Sequence, residues 1–247
     1  MPDSAVLMEE MTTFEVRESI RAGKTTVLIF NASTEASGPH IVLGKHIFRA
    51  RYLGERIARE LGNALVAPVI PFAPTDAETA FPGTVNLSPE IFSRVNEELA
   101  ASMAAAGFKF IVLMGDHGAN QAPLKELAPR LDARLRSQDT RVFFAGDAYQ
   151  KTDAEIESYL ASNGFPPSRH GGVGDTSLLW AVGAQYIRPD KLAVGNPVER
   201  PYPKQLTLGP AGFEGDPRRS TPELGKMFLD WKVKNAVAEI RTLLRSI

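Results

Sequence analysis

TTVLIF (residues 25–30), followed directly by NASTEASGPH (residues 31–40), is the stretch that decides the fold class. A short apolar run rich in β-branched residues is typical of a strand that is covered on both faces of a sheet. The polar loop that follows places Glu35 and His40 just beyond the carboxyl end of that strand. Ligands of open α/β sheets gather in such loops, so this stretch also indicates where a site would lie.

Strand-like and helix-like segments alternate on both sides of this stretch. Each predicted helix has apolar residues at helical spacing, and Gly62 and Gly107 are typical of helix ends. Ser88 followed by Pro89 is typical of a helix start. The pattern predicts helices over residues 12–21, 48–61, 88–107 and through Leu124 and Leu127, and strands over residues 64–70, 110–114 and 142–145. Such alternation requires crossover connections, so it predicts an α/β fold with a mostly parallel sheet and helices on both sides.

The last third of the chain contains a long loop and a closing helix. Residues 195–222 are rich in Gly and Pro and show no periodicity, which predicts a long loop. Loops of this length are usually functional. Residues 222–244 carry one broad apolar face and are predicted to be helical. Since no linker, repeat or low-complexity tract interrupts the pattern, we expect a single domain over residues 1–247.

The composition excludes several classes of protein. With 28 Lys+Arg against 29 Asp+Glu and no basic run, a nucleic-acid partner is not expected. No apolar stretch approaches about 18 residues, and the first segment is acidic where a signal peptide would be basic. We therefore expect no membrane partner and a cytoplasmic protein. The chain has no Cys, so a bound metal ion would need His, Asp and Glu as ligands.

The four His and several carboxylates fall in three Gly-containing segments, which we expect to be loops rather than apolar helix faces. They comprise Glu35, His40 and His46, then Asp116, His117 and Asn120, then His170 and Asp175. Such a set is a candidate metal or acid–base site. The alternative is that these His are solvated or cap helices.

Five segments resemble, in order and spacing, the signatures of the creatininase (creatinine amidohydrolase) family: NASTEASGPHIVLGKH, FPGTVNLSPEIF, GFKFIVLMGDHGAN, HGGVGDTS and GDPRRSTPELGK. The resemblance covers nearly the whole chain. It implies a three-layer α/β/α sandwich with a mostly parallel sheet, commonly assembled as a homo-oligomeric hexamer. It also implies metal-dependent hydrolysis of a C–N bond in a cyclic amide, a formamide or a peptide, commonly with two divalent ions, often Zn or Mn.

The resemblance assigns roles to three residues that match the family pattern. Glu35 stands at the first carboxylate ligand, and His117 at the His ligand of a Gly-x-His motif. His170 matches the His that acts on the leaving group, so we expect it to protonate the departing nitrogen.

Four positions depart from that pattern. Ser37 stands where the family has a ligand His, and His46 stands where it has the Asp that bridges two ions. Asp175 replaces a Glu, and Glu78 occupies a place often held by His. An imidazole cannot bridge two ions as a carboxylate does, and a hydroxyl is a poor substitute for a His nitrogen.

We therefore expect one divalent ion rather than two. Its ligands would be Glu35, His46 and His117, with Asp175 as a fourth oxygen. Zn or Mn fits this set best, and Fe is compatible with it. The predicted function is an amidohydrolase of a small-molecule substrate. Two alternatives remain: a lyase or isomerase with Glu78 or His170 as its base, and a non-catalytic binding or assembly protein that has lost the metal.

Three further polar residues have predicted roles. Asp116 either orients a ligand imidazole or caps the helix after its loop. His40 is expected to form a hydrogen bond within its own turn. Ser177, together with the preceding Thr, is expected to cap a helix that begins at Leu178 rather than to act as a nucleophile.

Overall fold

The predicted parallel sheet is present in the computed structural model, which describes residues 5–203 and 205–246. The first four residues of the acidic N-terminal segment thus lie outside the described residues. The strands are β1 (Thr26–Asn31), β2 (Ala64–Val66), β3 (Phe110–Gly115) and β4 (Arg141–Phe144). Within the described residues their order is β2-β1-β3-β4, and every pairing is parallel.

The two central strands, β1 and β3, are the ones that the apolar runs predicted most clearly. They pair along their full length, from Thr26 with Phe110 to Asn31 with Gly115. Every residue of β1 is buried, as is every residue of β3 after Phe110. This is the burial expected for a sheet that is covered on both faces.

The helices are α1 (Thr13–Arg21), α2 (Lys45–Leu61), α3 (Pro89–Ala105), α4 (Gly118–Leu135), α5 (Gln150–Ser162), α6 (Val173–Val182) and α7 (Pro222–Arg245). α2 packs against β1, β2 and α7, whereas α3 and α4 pack against β3 and against each other. Right-handed crossovers require this division, because the chain moves one way from β1 to β2 and the other way from β2 to β3. The predicted three-layer α/β/α sandwich is confirmed.

The chain leaves β1 towards one edge of the sheet and leaves β3 towards the other edge. The carboxyl ends of these two neighbouring strands therefore lie side by side, and the loops that follow them turn to opposite faces of the sheet. Asn120, at the start of α4, holds this junction: its side-chain amide donates to the carbonyl oxygens of Asn31 (2.9 Å) and Ala32 (3.2 Å). The reversal leaves a crevice, which is the usual place for a ligand in an open α/β sheet.

Local signals set several helix ends as predicted. The Ser88 hydroxyl accepts a hydrogen bond from the backbone N–H of Ile91 at the start of α3. Gly62 ends α2 with a left-handed φ of 81°, a conformation that glycine adopts without steric cost.

Other expectations about the elements were wrong. The predicted strand over residues 64–70 ends at Val66, because the nearby Pro68 cannot donate to a strand ladder. α5 was not predicted. α6 begins at Val173 rather than at Leu178, so Ser177 lies inside the helix instead of capping it.

Within the described residues, no helix combines the length and the apolar character needed to span a membrane.

Candidate metal centre

A cavity of about 530 Å³ opens at the carboxyl ends of β1 and β3. The predicted site residues Glu35, His46, His117, Glu78, His170 and Asp175 all line it. Glu35 comes from the loop after β1, and His117, two residues beyond the end of β3, is the N-cap residue of α4. The loops that follow the two central strands thus supply the first two members of the site.

Glu35 is completely buried at the centre of this cavity. Its Oε2 lies 2.9 Å from Nε2 of His117 and accepts a hydrogen bond from the Ser33 hydroxyl at 2.8 Å. Its Oε1 lies 3.0 Å from Nε2 of His46. Burial alone would raise the pKa of Glu35, but its electrostatic interactions with His117, His46 and Lys45 hold it well below the usual value. Glu35 is therefore a carboxylate at neutral pH.

His46 occupies the first turn of α2, so the expectation that every His would lie in a loop was wrong. Its Nδ1 is 2.8 Å from Oδ2 of Asp116, and its Nε2 faces Glu35. In the tautomer that donates from Nδ1 to Asp116, Nε2 carries its lone pair into the cavity. Of the two predicted roles for Asp116, the geometry fits the orientation of an imidazole, and the imidazole is that of His46.

Glu35, His46 and His117 form the first of two groups of ligand atoms, in which all atoms lie within 4.8 Å of one another. Two imidazole nitrogens and a carboxylate oxygen suit a divalent ion that keeps an open coordination position. The carboxylate–imidazole pair of Asp116 and His46 is also a common support for a metal ligand. The donor set therefore fits one divalent ion.

The second group consists of Glu35, Glu78 and His170, again within 4.8 Å. Glu78 is buried in a short 3₁₀ turn, Asp76–Glu78. Burial and the negative charge of Glu35 raise the pKa of Glu78 to about 7. Burial and the charge of Lys45 lower the pKa of His170 to about 4. His170 is therefore neutral at neutral pH, and its Nε2 lies 2.7 Å from the carbonyl oxygen of Ala36, to which it donates.

Asp175 lies in the cavity but belongs to neither group of ligand atoms among the described residues. Its Oδ2 accepts a hydrogen bond from Nζ of Lys45 at 2.7 Å, and its Oδ1 accepts one from Nη1 of Arg49 at 2.6 Å. The charges of these two cations hold the pKa of Asp175 well below its usual value, against the effect of burial. The structure thus places the expected fourth ligand between two cations.

Lys45 and Arg49 are site residues that the sequence analysis missed. Both side chains are almost completely buried, at 1% and 2% exposure. Arg49 also donates from Nε to Asp116 at 2.8 Å. A signal was available, because both residues continue the four-residue spacing of the buried Leu53 and Ile57 towards the start of α2.

His40 and Ser177 have structural roles. Nε2 of His40 lies 2.9 Å from the carbonyl oxygen of Gly171, so its partner belongs to the loop before α6 and not to its own turn. The Ser177 hydroxyl accepts a hydrogen bond from the backbone N–H of Thr221, at the start of α7. It forms no nucleophile pair with His170.

The family model "Creatinine amidohydrolase" matches residues 9–240. A creatinine amidohydrolase of Pseudomonas putida is 24% identical over 255 residues, which cover 96% of each chain. A mycofactocin precursor peptide peptidase of Mycobacterium ulcerans is 24% identical over 230 residues, covering 87% of this chain and 84% of the relative.

A solved structure of a mutant creatininase described as "Zn-Zn type" superposes with a TM-score of 0.81 at 23% identity, over 96% of this chain and 98% of that chain. At this level of identity the superposition establishes a shared fold and leaves the chemistry to be argued from the residues.

Proposed function

The chain belongs to the creatinine amidohydrolase (creatininase) family, and from that premise we propose that it hydrolyses a C–N bond of a small cyclic amide, formamide or related substrate with one divalent ion. The observation that carries the proposal is the first donor group. Three ligand atoms, one each from Glu35, His46 and His117, lie within 4.8 Å of one another in the cavity at the carboxyl ends of β1 and β3.

Glu35, His46 and His117 would hold the ion, and the nature of the donors supports Zn, with Mn and Fe also compatible. When bound, such an ion makes a water molecule more acidic and polarises a carbonyl oxygen. Asp116 keeps the imidazole of His46 in the tautomer that can bind. We assign Asp175 to the support of Lys45 and Arg49 rather than to the ion, because both of its oxygens already accept hydrogen bonds from these cations.

Glu78 is the best candidate for the residue that moves the proton. With a pKa of about 7, it is partly ionised at neutral pH and can both accept and return a proton. It would take a proton from water as the oxygen forms a bond to the carbonyl carbon. It would then give that proton to the nitrogen as the C–N bond breaks, which completes the addition of one water molecule.

His170 receives a different role from the one expected. A pKa of about 4 leaves almost no imidazolium at neutral pH, so His170 is a poor donor to the departing nitrogen. Since its Nε2 hydrogen goes to Ala36, its Nδ1 can accept a hydrogen bond from an N–H of the substrate. We therefore propose that His170 orients the substrate.

A substrate panel tests the proposal. Protein stripped with a chelator and reloaded with Zn or Mn is incubated with creatinine, other cyclic amides, N-formyl amines and short peptides, the last because of the peptide peptidase relative. We expect metal-dependent turnover that Glu35→Gln and His117→Ala abolish. His40→Asn is the matched control, because His40 is as fully buried as Glu35 but belongs to neither donor group among the described residues.

Water labelled with ¹⁸O separates the alternatives. A hydrolase incorporates the label into the acid product, whereas a lyase or isomerase yields a product without hydrolytic incorporation. Turnover that survives both metal removal and Glu35→Gln would contradict the proposal. So would a metal content below about a tenth of an equivalent after reconstitution.

A further inference from the structure

A buried ammonium group lies within the candidate metal centre. Nζ of Lys45 is 2.7 Å from Oδ2 of Asp175 and 3.4 Å from Oε1 of Glu35. Its side chain is 1% exposed, yet Lys45 lines the cavity. An ammonium carries three N–H donors, and Nζ of Lys45 uses one in its hydrogen bond to Asp175 while forming an ion pair with Glu35. A third donor is therefore available to a molecule in the cavity.

The ammonium stands next to the group Glu35, Glu78 and His170, which could otherwise bind a second divalent ion. Oε1 of Glu35 lies 3.8 Å from Nδ1 of His170 and 3.4 Å from Nζ of Lys45. An ion bound to that oxygen at about 2.1 Å would lie no more than about 5.5 Å from Nζ, the sum of the two distances. Two like charges this close in a buried site repel each other strongly. The first ion can instead use Oε2 of Glu35, the oxygen that lies 2.9 Å from Nε2 of His117 and faces away from this contact.

We infer that Lys45 supplies the second positive charge of this site: its ammonium excludes a second divalent ion and donates a hydrogen bond to the substrate's carbonyl oxygen. The inference rests on the proposed function and extends it. Amide hydrolysis places negative charge on that oxygen, and a positioned donor in a buried site stabilises it. Asp175 and Glu35 hold the ammonium in place, and Arg49 holds Asp175 from the other side.

Zinc stoichiometry tests the exclusion without a substrate. Metal-free wild type and Lys45→Met are titrated with Zn²⁺ alone by calorimetry at pH 7.5, and bound ions are counted by native mass spectrometry. We expect one ion per chain for the wild type and two for Lys45→Met. Lys232→Met is the matched control, because Lys232 is also 1% exposed and contacts a carboxylate, that of Asp153, at 2.6 Å. It should bind one ion.

The second arm measures turnover with whichever amide the panel identifies. In enzyme loaded with one equivalent of zinc per chain, Lys45→Met should lower kcat about 10²–10³-fold with a smaller change in KM, as loss of a transition-state donor does. Circular dichroism verifies that each variant is folded, and Lys45→Gln serves as the second variant if Lys45→Met does not fold.

One ion on a folded Lys45 variant would overturn the inference while leaving the proposed one-ion hydrolase intact. Two ions on the wild type would overturn both the inference and the one-ion part of the proposed function, while metal-dependent hydrolysis itself would still be decided by the turnover assay. No ion on the wild type would instead contradict the proposed function itself.

Discussion

Replacing Asp116 by Asn should weaken zinc binding without removing a ligand. Asp116 is 2% exposed, and its Oδ2 accepts hydrogen bonds from Nδ1 of His46 and Nε of Arg49, both at 2.8 Å. The amide keeps the shape of the side chain and loses its charge. An amide oxygen holds the Nδ1 hydrogen less firmly, and the amide nitrogen favours the opposite tautomer, in which Nε2 cannot bind an ion.

The expected loss is about 10–100-fold in zinc affinity, the usual effect of losing a carboxylate that supports a metal-bound imidazole. This corresponds to about 1.4–2.8 kcal/mol, at about 1.4 kcal/mol for each factor of ten. Of the two hydrogen bonds that Asp116 accepts, only the one from His46 involves a metal ligand. Weakening the other, from Arg49, should lower the folding stability instead of the zinc affinity. Asp116→Asn leaves Arg49 paired with Asp175, which limits that second cost.

Competition with a fluorescent zinc chelator measures the affinity, and Asp132→Asn is the matched control. Asp132 is also largely buried and accepts hydrogen bonds from Arg136 and Arg141, at 2.6 and 2.7 Å, but from no imidazole. It should lose stability and bind zinc within about twofold of the wild type. An unchanged affinity in Asp116→Asn, or an equal fall in Asp132→Asn, would refute the role given to Asp116.

Three further predictions concern pH and packing. At saturating zinc, kcat should rise as pH increases through about 7, because Glu78 must be ionised to accept a proton. Glu78→Gln should lower kcat about 10²–10⁴-fold. A kcat that does not change between pH 5.5 and 8.5 would count against Glu78. Burial lowers the pKa of His117, but the adjacent Glu35 carboxylate raises it more, so the net shift is upward. As the pH is lowered, the amount of bound zinc should therefore begin to fall before pH 6.5 is reached, because a protonated His117 cannot bind the ion. Full zinc occupancy at pH 5, measured at a zinc concentration near the dissociation constant, would exclude His117 as a ligand. Gly225→Ala should destabilise the protein by about 3 kcal/mol or more in urea denaturation, because a Cβ there would lie 1.8 Å from the carbonyl oxygen of Ser177. The control Gly174→Ala should be tolerated, because the nearest contact of its Cβ would be 3.5 Å away. Equal urea midpoints for the two variants would show that α6 and α7 do not pack as described.

Prediction of elements and site residues from the sequence succeeded where the local residue pattern and the overall fold require the same structure. The apolar runs of β1 and β3 are buried strands, and Glu35 and His117, in the segments that follow them, reach the cavity because parallel strands end at one edge of the sheet. The helix-start signal at Ser88 also succeeded, since it depends on a hydrogen bond between near neighbours.

The failures arise where tertiary contacts override local preference. The Gly-rich segment before Ser177 was interpreted as a loop, yet α6 begins at Val173, since its close packing against Gly225 of α7 stabilises a helix of weak intrinsic propensity. Lys45 and Arg49 were missed because charged side chains are rarely buried unless they are paired. Their partner Asp175 lies far away in the sequence, so the pairing is visible only in the folded chain.

A crystal structure of the zinc-loaded protein, with anomalous data collected at the zinc edge, measures the metal centre directly. We expect one anomalous peak per chain, at about 2.0–2.2 Å from a Glu35 oxygen and from Nε2 of both His46 and His117. A peak between Glu78 and His170 instead, or no peak near Glu35 in crystals that contain zinc elsewhere, would contradict the one-ion hydrolase.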